Sequence, residues 1–306
     1  MDQISFRLNP VAPFDLRLTA WALRRRPDNS IDRWDGQTYQ RAIAYEGKPV
    51  EIEATQRGSL HRPTLRVTAT AEKIVPGLKP AIAHALEGML GLRVDLSSFY
   101  EFARTDRNLS ELSHRFLGLK PPRFPTLFEA LVNAFACQQL TLTVGILLLN
   151  RLAVKCGLPF KKEGSTVYTF PQPERVARLH PETFRKLGFS RQKGRALSEL
   201  SQMVTRKTLN LEGIGAMEDE RAAEQLYQLR GVGRWSAEYV LLRGMGRISL
   251  FPGDDVGAQN KLKHLLNLKK PLNYEGIRHL LDRWYPFGGL VYFHLLLDGL
   301  LEGGYL

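Results

Sequence analysis

The sequence predicts an α+β fold in which a small N-terminal antiparallel sheet precedes an all-helical body. Up to about residue 75, apolar and polar residues alternate in "DLRLTAWAL", "TYQRAIAYEGKPVEIEAT" and "TLRVTATAE", a pattern typical of strands with one solvated face. From "LSSFYEFARTD" onward the apolar period becomes helical, and glycine and proline mark the joints. We therefore predict a sheet domain over residues 1–100, with a helix near "LKPAIAHALEGMLGL", and a helical region over residues 101–306.

Two helix boundaries are marked by capping residues. Thr126 with Glu129 three residues later forms a capping-box pattern at the start of "PTLFEALVNAFA". A second apolar helix is predicted from about Thr141 to Lys155, and it ends at Gly157, a residue type that often terminates helices.

The charge balance favours a polyanionic partner. The 306 residues include 43 Lys and Arg against 31 Asp and Glu, a formal net charge of +12. Nucleic acid is the commonest cytoplasmic polyanion, although a basic surface can also serve solubility alone. No apolar run is long enough to span a bilayer and no signal peptide is recognisable, so we expect a cytoplasmic protein without a membrane partner, associated with the nucleoid if it is bacterial.

The number of cysteines limits which metal cofactors the chain can bind. Cys137 and Cys156 cannot supply the four ligands of an iron–sulfur cluster or of a cysteine-rich zinc site. The histidines show no paired spacing. We therefore expect no tightly bound transition metal.

The segment "DERAAEQLYQL-RGVGRW-SAEYVLLRG" reads as two helices joined by a short glycine turn. Gly231 and Gly233 can adopt the positive φ that lets the chain reverse, and we expect the turn to place backbone N–H groups at the start of the second helix, where an anion can bind. Arg230 and Arg234 flank the turn. The alternative is an ordinary glycine-capped turn with no ligand.

Two adjacent carboxylates follow in "LFPGDDVGAQNKL", at a predicted helix start. Asp254 is the expected N-cap, and Asp255 then falls in the first helical turn. The helix dipole favours an ionised carboxylate there, so Asp255 is suited to stabilise a developing cation or to orient a water molecule.

These motifs resemble the helix-hairpin-helix (HhH-GPD) DNA glycosylase superfamily, in particular its 3-methyladenine DNA glycosylase II (AlkA-like) branch. The hairpin and the aspartate in "LRGVGRWSAEYVLLRGMGRISLFPGDDVGAQNKL" carry most of the resemblance. "FPTLFEALVNAFACQQLTLTVG" and "LGFSRQKGRAL" are similar to two further family segments, and "PFDLRLTAWALRRR" to the family's first domain. The resemblance implies a TATA-binding-protein-like sheet and a helical body with subdomains of about 124–247 and of 101–123 plus 248–306.

The resemblance also implies an activity. Asp255 takes the place of the catalytic aspartate, and Trp235 stands where the bifunctional glycosylase/lyases carry a Schiff-base lysine. The implied enzyme is a monofunctional DNA glycosylase of base excision repair. It would flip out alkylated bases of the 3-methyladenine type, with 7-methylguanine or hypoxanthine as further candidates, and leave an abasic site. The implied partner is double-stranded DNA with damaged bases, bound by a monomer.

Further residues are assigned by the same resemblance. The base pocket would include the aromatic residues Trp235, Tyr239, Phe287 and Trp21; the alternative for Trp235 and Tyr239 is a structural pair in the helical core. The wedge that fills the vacated base position would come from Gln138, Gln139 and Leu140. The phosphate-binding hairpin would comprise Leu229, Arg230, Gly231, Val232, Gly233 and Arg234. A sodium or potassium ion would bind the backbone carbonyls of Tyr227, Leu229 and Val232 when DNA is present, with no other cofactor.

Two alternatives stay open. One is a glycosylase for an oxidised or deaminated base, because Phe287 and Gly288 replace a tryptophan and an arginine of the bacterial enzyme. The other is a non-catalytic DNA-binding protein that uses only the hairpin. Asp255 argues against the second alternative, since a carboxylate beside a phosphate-binding turn repels the DNA backbone.

Overall fold

The computed structural model describes residues 1–162 and 164–306 and has the predicted α+β architecture, but the region predicted to be all-helical also contains two short antiparallel strands, at residues 159–162 and 165–168. The strands are β1 Asp2–Leu8, β2 Arg33–Trp34, β3 Thr38–Tyr45, β4 Lys48–Ser59, β5 Arg62–Ala71, β6 Pro159–Lys162 and β7 Ser165–Tyr168. The first helices are α1 Leu16–Arg24, α2 Leu78–Met89, α3 Ser97–Ala103, α4 Arg107–Arg115, α5 Leu127–Cys137, α6 Leu142–Cys156, α7 Pro173–Val176 and α8 Pro181–Leu187. The remaining helices are α9 Arg191–Thr205, α10 Leu211–Gly215, α11 Asp219–Tyr227, α12 Arg234–Val240, α13 Val256–Leu265, α14 Tyr274–Leu281 and α15 Gly288–Glu302. A π-helical turn, Leu241–Met245, continues α12, and a 3-10 turn, Asp282–Trp284, follows α14.

The N-terminal sheet has the strand order β1-β5-β4-β3-β2, and each neighbouring pair is antiparallel. Strand alternation buries one face, which includes Phe6, Leu65, Val67 and Ile52. The opposite face is mostly polar, and its residues are exposed or half-buried apart from Ala42, Glu51 and Thr70. The predicted sheet with one solvated face is therefore confirmed.

One predicted strand is wrong. "DLRLTAWAL" forms α1, which begins after Asp15, whose side chain accepts a hydrogen bond from the Leu18 amide at 3.2 Å. The pattern was misleading because Leu16, Leu18, Ala20 and Ala22 alternate along the chain as in a strand, and a short apolar run of this kind does not by itself distinguish a strand from a buried helix. The strand on that edge of the sheet is β1, which lies further upstream.

Buried ion pairs connect the sheet to α5. Arg41 on β3 lies 2.7 Å from Asp32 and 2.6 Å from Glu129, and all three side chains are almost completely buried. Thr126 caps α5 by accepting from the Glu129 amide, but the Glu129 carboxylate binds Arg41 rather than completing the capping box. The sheet is thereby fixed against the helix that leads into the site described below.

Two apolar cores divide the helical region. One contains the sheet residues together with side chains from α5 to α12, such as Phe135 and Leu197. The other joins α3 and α4 to α13 and α15, with Trp284 at its centre. Within the described residues, no helix is long and apolar enough to cross a membrane.

Candidate active-site cleft

A cleft of about 1220 Å³ lies between four segments of the helical region. They are the turn after α5, the start of α9, the turn between α11 and α12, and the start of α13. The cleft therefore brings together three features that are distant in sequence: the predicted wedge, the glycine hairpin and the paired aspartates.

Asp255 is held rigidly at the edge of this cleft. It is itself the N-cap of α13, and its Oδ1 accepts from the Ala258 amide at 2.9 Å. The prediction that Asp254 is the cap is thus wrong by one residue. The tight turn at Pro252, whose carbonyl accepts from the Asp255 amide, brings Asp255 to the cap position.

The second carboxylate oxygen of Asp255 accepts two further hydrogen bonds. Trp235 Nε1 and the Tyr292 hydroxyl each lie 3.2 Å from Asp255 Oδ2. Burial raises the pKa of Tyr292 well above its ordinary value, so the hydroxyl stays protonated and acts as a donor. The sequence reasoning missed Tyr292, because nothing distinguishes it from its neighbours in the apolar text of α15.

Asp254 has a different role. Its carboxylate forms two hydrogen bonds to the Arg234 guanidinium, at 2.7 and 3.0 Å, and that guanidinium stacks 3.5 Å from the centre of the Tyr274 ring. The Tyr274 hydroxyl donates in turn to Glu238, which also accepts from the Gly253 amide at 3.0 Å. These contacts tie the aspartate loop to α12.

The hairpin between α11 and α12 forms as predicted, and one of its two glycines has a positive φ. Gly231 has φ +80°, and its position therefore favours glycine. Gly233 is the N-cap of α12 with φ −106°, so of the two glycines Gly231 alone uses the positive φ that glycine allows. Nothing lies within 4 Å of a Cβ built on Gly233, and this exposed backbone faces the cleft.

The three candidate wedge residues have different environments. The Gln138 amide nitrogen donates to the Gly231 carbonyl at 2.7 Å and to Ser236 Oγ at 2.6 Å, so this side chain braces the hairpin instead of pointing outward. Gln139, with φ +53°, and Leu140, which is 44% exposed, project from the turn. Lys193 Nζ fixes the turn from below by donating to the Gln138 carbonyl at 2.6 Å.

Only one of the four predicted pocket aromatics lines the cleft. The Trp235 ring faces it and stacks on Tyr239, with ring centres 5.1 Å apart and planes at 25°. Tyr239 is buried behind Trp235, and its hydroxyl accepts from Arg25 at 2.8 Å. Trp235 is thus a surface that a base can stack on, supported by a second ring.

The other two aromatics lie elsewhere. Phe287 packs against Phe99 and Phe102, with ring centres 5.5 and 5.3 Å away. Trp21 stacks on Tyr305 at 6.0 Å beside a separate cavity. The structure brings neither residue to the cleft, because each is held in the second apolar core or at its edge.

Basic side chains surround the cleft. They are Arg191, Lys193, Arg195, Arg230 and Arg234, and Arg234 pairs directly with Asp254. Arg230 and Arg195 share Glu199, at 2.6 and 3.3 Å, so part of this charge is neutralised. The rim as a whole is suited to an anionic backbone.

The three hairpin carbonyls named above as cation ligands keep most of their lone pairs free. Among the described residues, the carbonyl oxygens of Tyr227 and Val232 accept no hydrogen bond, and that of Leu229 accepts one from the Val232 amide at 3.1 Å. Neutral carbonyls with free lone pairs are the donor type that sodium or potassium accepts.

Comparisons with known proteins agree with this geometry. The model of the HhH-GPD superfamily base excision DNA repair protein matches residues 132–287, just over half of the chain. The DNA-3-methyladenine glycosylase of Bacillus subtilis is 29% identical over 66% of this chain and 66% of its own length. DNA-3-methyladenine glycosylase 2 of Escherichia coli is 26% identical over 95% of this chain and 96% of its own length.

Comparison with a solved structure also finds a 3-methyladenine DNA glycosylase. The 3-methyladenine DNA-glycosylase from Archaeoglobus fulgidus superposes with a TM-score of 0.83 at 26% identity, covering 95% of this chain and 97% of that one. The chain belongs to the HhH-GPD superfamily of base excision DNA repair glycosylases, in the AlkA-like branch that is similar to 3-methyladenine DNA glycosylase II.

Proposed function

We propose that the protein is a monofunctional DNA glycosylase that flips an alkylated base of double-stranded DNA into the cleft and releases it by hydrolysis. The observation that carries this proposal is the Asp255 carboxylate, fixed by three hydrogen bonds beside both a stacking surface and a glycine hairpin. A carboxylate in that position suits the departure of a base from a sugar that develops positive charge.

The chemistry needs few groups. Cleavage of the bond between the base nitrogen and the sugar C1′ builds oxocarbenium character, which the Asp255 anion stabilises. A water molecule then adds to C1′ and gives up a proton, for which Asp255 is the nearest fixed acceptor. A base alkylated at a ring nitrogen already carries positive charge and leaves as a neutral molecule, so no general acid is required.

Trp235 supports the choice of an alkylated base. A cationic ring placed on an indole face gains about 0.5 to 2 kcal/mol from the cation–π interaction. The stacked pair of Trp235 and Tyr239 keeps this face in a fixed orientation.

Trp235 also supports hydrolysis without strand cleavage. A lyase needs an amine nucleophile, and an indole has none. The one lysine that lines the cleft in the described part of the chain, Lys193, donates to the carbonyls of Ala136 and Gln138 and is occupied there.

The hairpin and the turn after α5 complete the proposed DNA site. The backbone N–H groups at Gly233 would bind a phosphate, and Gln139 or Leu140 would fill the position of the flipped base. The carbonyls of Tyr227, Leu229 and Val232 would hold a sodium or potassium ion. Such an ion would supply positive charge for the phosphate.

A lesion panel tests the proposal. Duplexes with a single 3-methyladenine, 7-methylguanine, hypoxanthine or 8-oxoguanine are incubated with the protein, and base release is measured directly and by alkali cleavage at the abasic site. We expect release of at least one alkylated base and no strand cleavage before alkali. Release of 8-oxoguanine alone would favour the oxidised-base alternative, and a protein–DNA adduct trapped by borohydride would contradict the monofunctional mechanism.

A further inference from the structure

Four arginines cluster on the outer face of the N-terminal sheet, away from the cleft. They are Arg7 on β1, Arg57 on β4, and Arg62 and Arg66 on β5, and all four are exposed. Their neighbours in the alternating pattern, such as Phe6 and Val67, point inward and are buried. We call this cluster the arginine face.

The strand register places these charges close together. Arg7 is directly opposite Arg66 across the β1–β5 pair, and Arg57 is a diagonal neighbour of Arg66 across the β4–β5 pair. Directly opposed side chains have Cβ atoms about 5 Å apart, and like charges in that position destabilise a sheet. The fold therefore gains nothing from this arrangement.

The arginine face has no internal counterion. In the part of the chain that the structure describes, none of its four arginines forms an ion pair. The acidic residues on the same side of the sheet have partners of their own. Glu51 pairs with Arg33, and Glu53 pairs with Lys162 at 2.9 Å. Glu53 is a diagonal neighbour of Arg66, but its charge is offset by Lys162, so the four arginines leave a net positive charge on this face.

The arginine face lies on the opposite side of the sheet from the helical body. The inner face is joined to α5 through Arg41 and Glu129, and α5 leads to the cleft at its C-terminal end. None of the four arginines lines the cleft. A DNA segment bound in the cleft would therefore leave this surface free.

We propose that the arginine face binds the phosphate backbone of a second DNA duplex segment while the cleft holds the first. Guanidinium groups bind phosphate oxygens with two parallel hydrogen bonds and cannot lose their charge, so four of them form a durable anion-binding surface. A protein that holds two segments can pass between them without dissociating into solution. The inference rests on the proposed function only in taking duplex DNA as the partner.

A bridging experiment tests this inference. An undamaged biotinylated duplex on beads is incubated with the protein and with a fluorescent duplex of another sequence, and the captured fluorescence is measured between 50 and 200 mM salt. The R7Q/R57Q/R66Q variant should capture at least tenfold less fluorescent duplex than the wild type at 50 mM salt. Wild-type capture should fall steeply as salt rises, because each phosphate contact contributes about 0.9 to the slope of log affinity against log salt.

The matched control is R104Q/R206Q/R221Q, which removes the same charge from exposed positions that line neither surface. It should bridge like the wild type. Equal loss in both variants, or bridging that persists in R7Q/R57Q/R66Q, would overturn the inference. In thermal unfolding, R7Q/R57Q/R66Q should be at least as stable as the wild type, because the substitutions remove the like-charge pair of Arg7 and Arg66.

Measuring base release distinguishes a failure of this inference from a failure of the proposed function. Single-turnover release from a short duplex should be the same in R7Q/R57Q/R66Q and in the wild type, because only the cleft is then used. A wild-type protein that bridges duplexes but releases no base would refute the proposed function and leave this inference standing.

Discussion

The Trp235 indole donates to the Asp255 carboxylate at 3.2 Å, so the ring proposed to stack on the base also orients the carboxylate proposed to act on its sugar. Stacking of Trp235 on Tyr239, and the hydrogen bond from Tyr292 to the same carboxylate oxygen, make this pair rigid. Recognition and chemistry are consequently coupled through one contact.

Asp255→Asn should abolish most base release while leaving DNA binding intact. Loss of a preorganised charge that acts on the transition state typically costs about 10²- to 10³-fold in rate. Asparagine is also a good N-cap, so α13 should persist. Single-turnover kinetics on the best lesion substrate measures the effect, and Asp254→Asn, which breaks only the pair with Arg234, should lose much less. Near-wild-type release by Asp255→Asn would refute the assignment.

Tyr292→Phe should slow base release by about ten- to a hundredfold without altering affinity for undamaged DNA. The substitution removes one of two donors to Asp255 Oδ2, and a hydrogen bond to a charged group is worth about 1.5 to 3 kcal/mol. Excess substrate should not restore the rate, because the substitution should lower kcat and leave KM unchanged. Tyr285→Phe is the control because Tyr285 is 73% exposed. An unchanged rate would mean that Tyr292 does not position Asp255.

The two hairpin glycines should respond differently to alanine. Gly231→Ala should destabilise the fold by about 1 to 2 kcal/mol, because φ is +80° there and a left-handed torsion disfavours a Cβ. Gly233→Ala should cost less stability, about 0.5 to 1 kcal/mol from the poorer N-cap, since its φ is ordinary and its surroundings are open, but it should weaken binding to every DNA sequence. Urea denaturation and fluorescence anisotropy separate the two effects. Equal affinity for DNA in Gly233→Ala and the wild type would exclude a phosphate contact there.

Leu140→Ala should slow the flipping of the base at no cost in stability. The side chain is 44% exposed, and surface substitutions usually change stability by less than about 0.5 kcal/mol. If Leu140 fills the vacated position, removing it should lower single-turnover release by about tenfold, because unstacking a base costs a few kcal/mol that the wedge offsets. Val154→Ala on α6, where the side chain is 56% exposed, is the matched control. If Leu140→Ala releases the base at the wild-type rate and Gln139→Ala releases it more slowly, the wedge is Gln139.

Stability should fall in mild acid because of His294. Burial lowers the pKa of this imidazole to about 4, from an ordinary value of 6.5. Between these values the unfolded chain binds a proton that the folded chain does not, so unfolding becomes more favourable as pH falls from 6.5 to 4. The 2.5-unit difference corresponds to about 3 kcal/mol. Denaturation curves across this range should be less steeply pH-dependent in His294→Leu than in the wild type, and an identical dependence would contradict the prediction.

Local signals in the sequence were sufficient for several parts of the site. The helix starts at Thr126 and Thr141 and the end at Gly157 were located correctly, because capping is decided within about four residues. The hairpin and Asp255 were located for the same reason: their residues lie in short contiguous motifs. Alternation misled at α1, a short segment whose apolar residues alternate as in a strand, and the strands β1, β6 and β7 were not predicted.

By itself, the sequence determined the α+β class, the superfamily motifs and the residue types that the chemistry needs. Only the tertiary structure decided which side chains meet. Tyr292 contacts Asp255 across 37 residues, and Arg41 contacts Glu129 across 88. It also decided that Trp235 faces the cleft while Tyr239, Phe287 and Trp21 do not, and that four arginines share one sheet face. The physical reason is that caps and turns depend on neighbouring residues, whereas these contacts depend on how distant helices and strands pack.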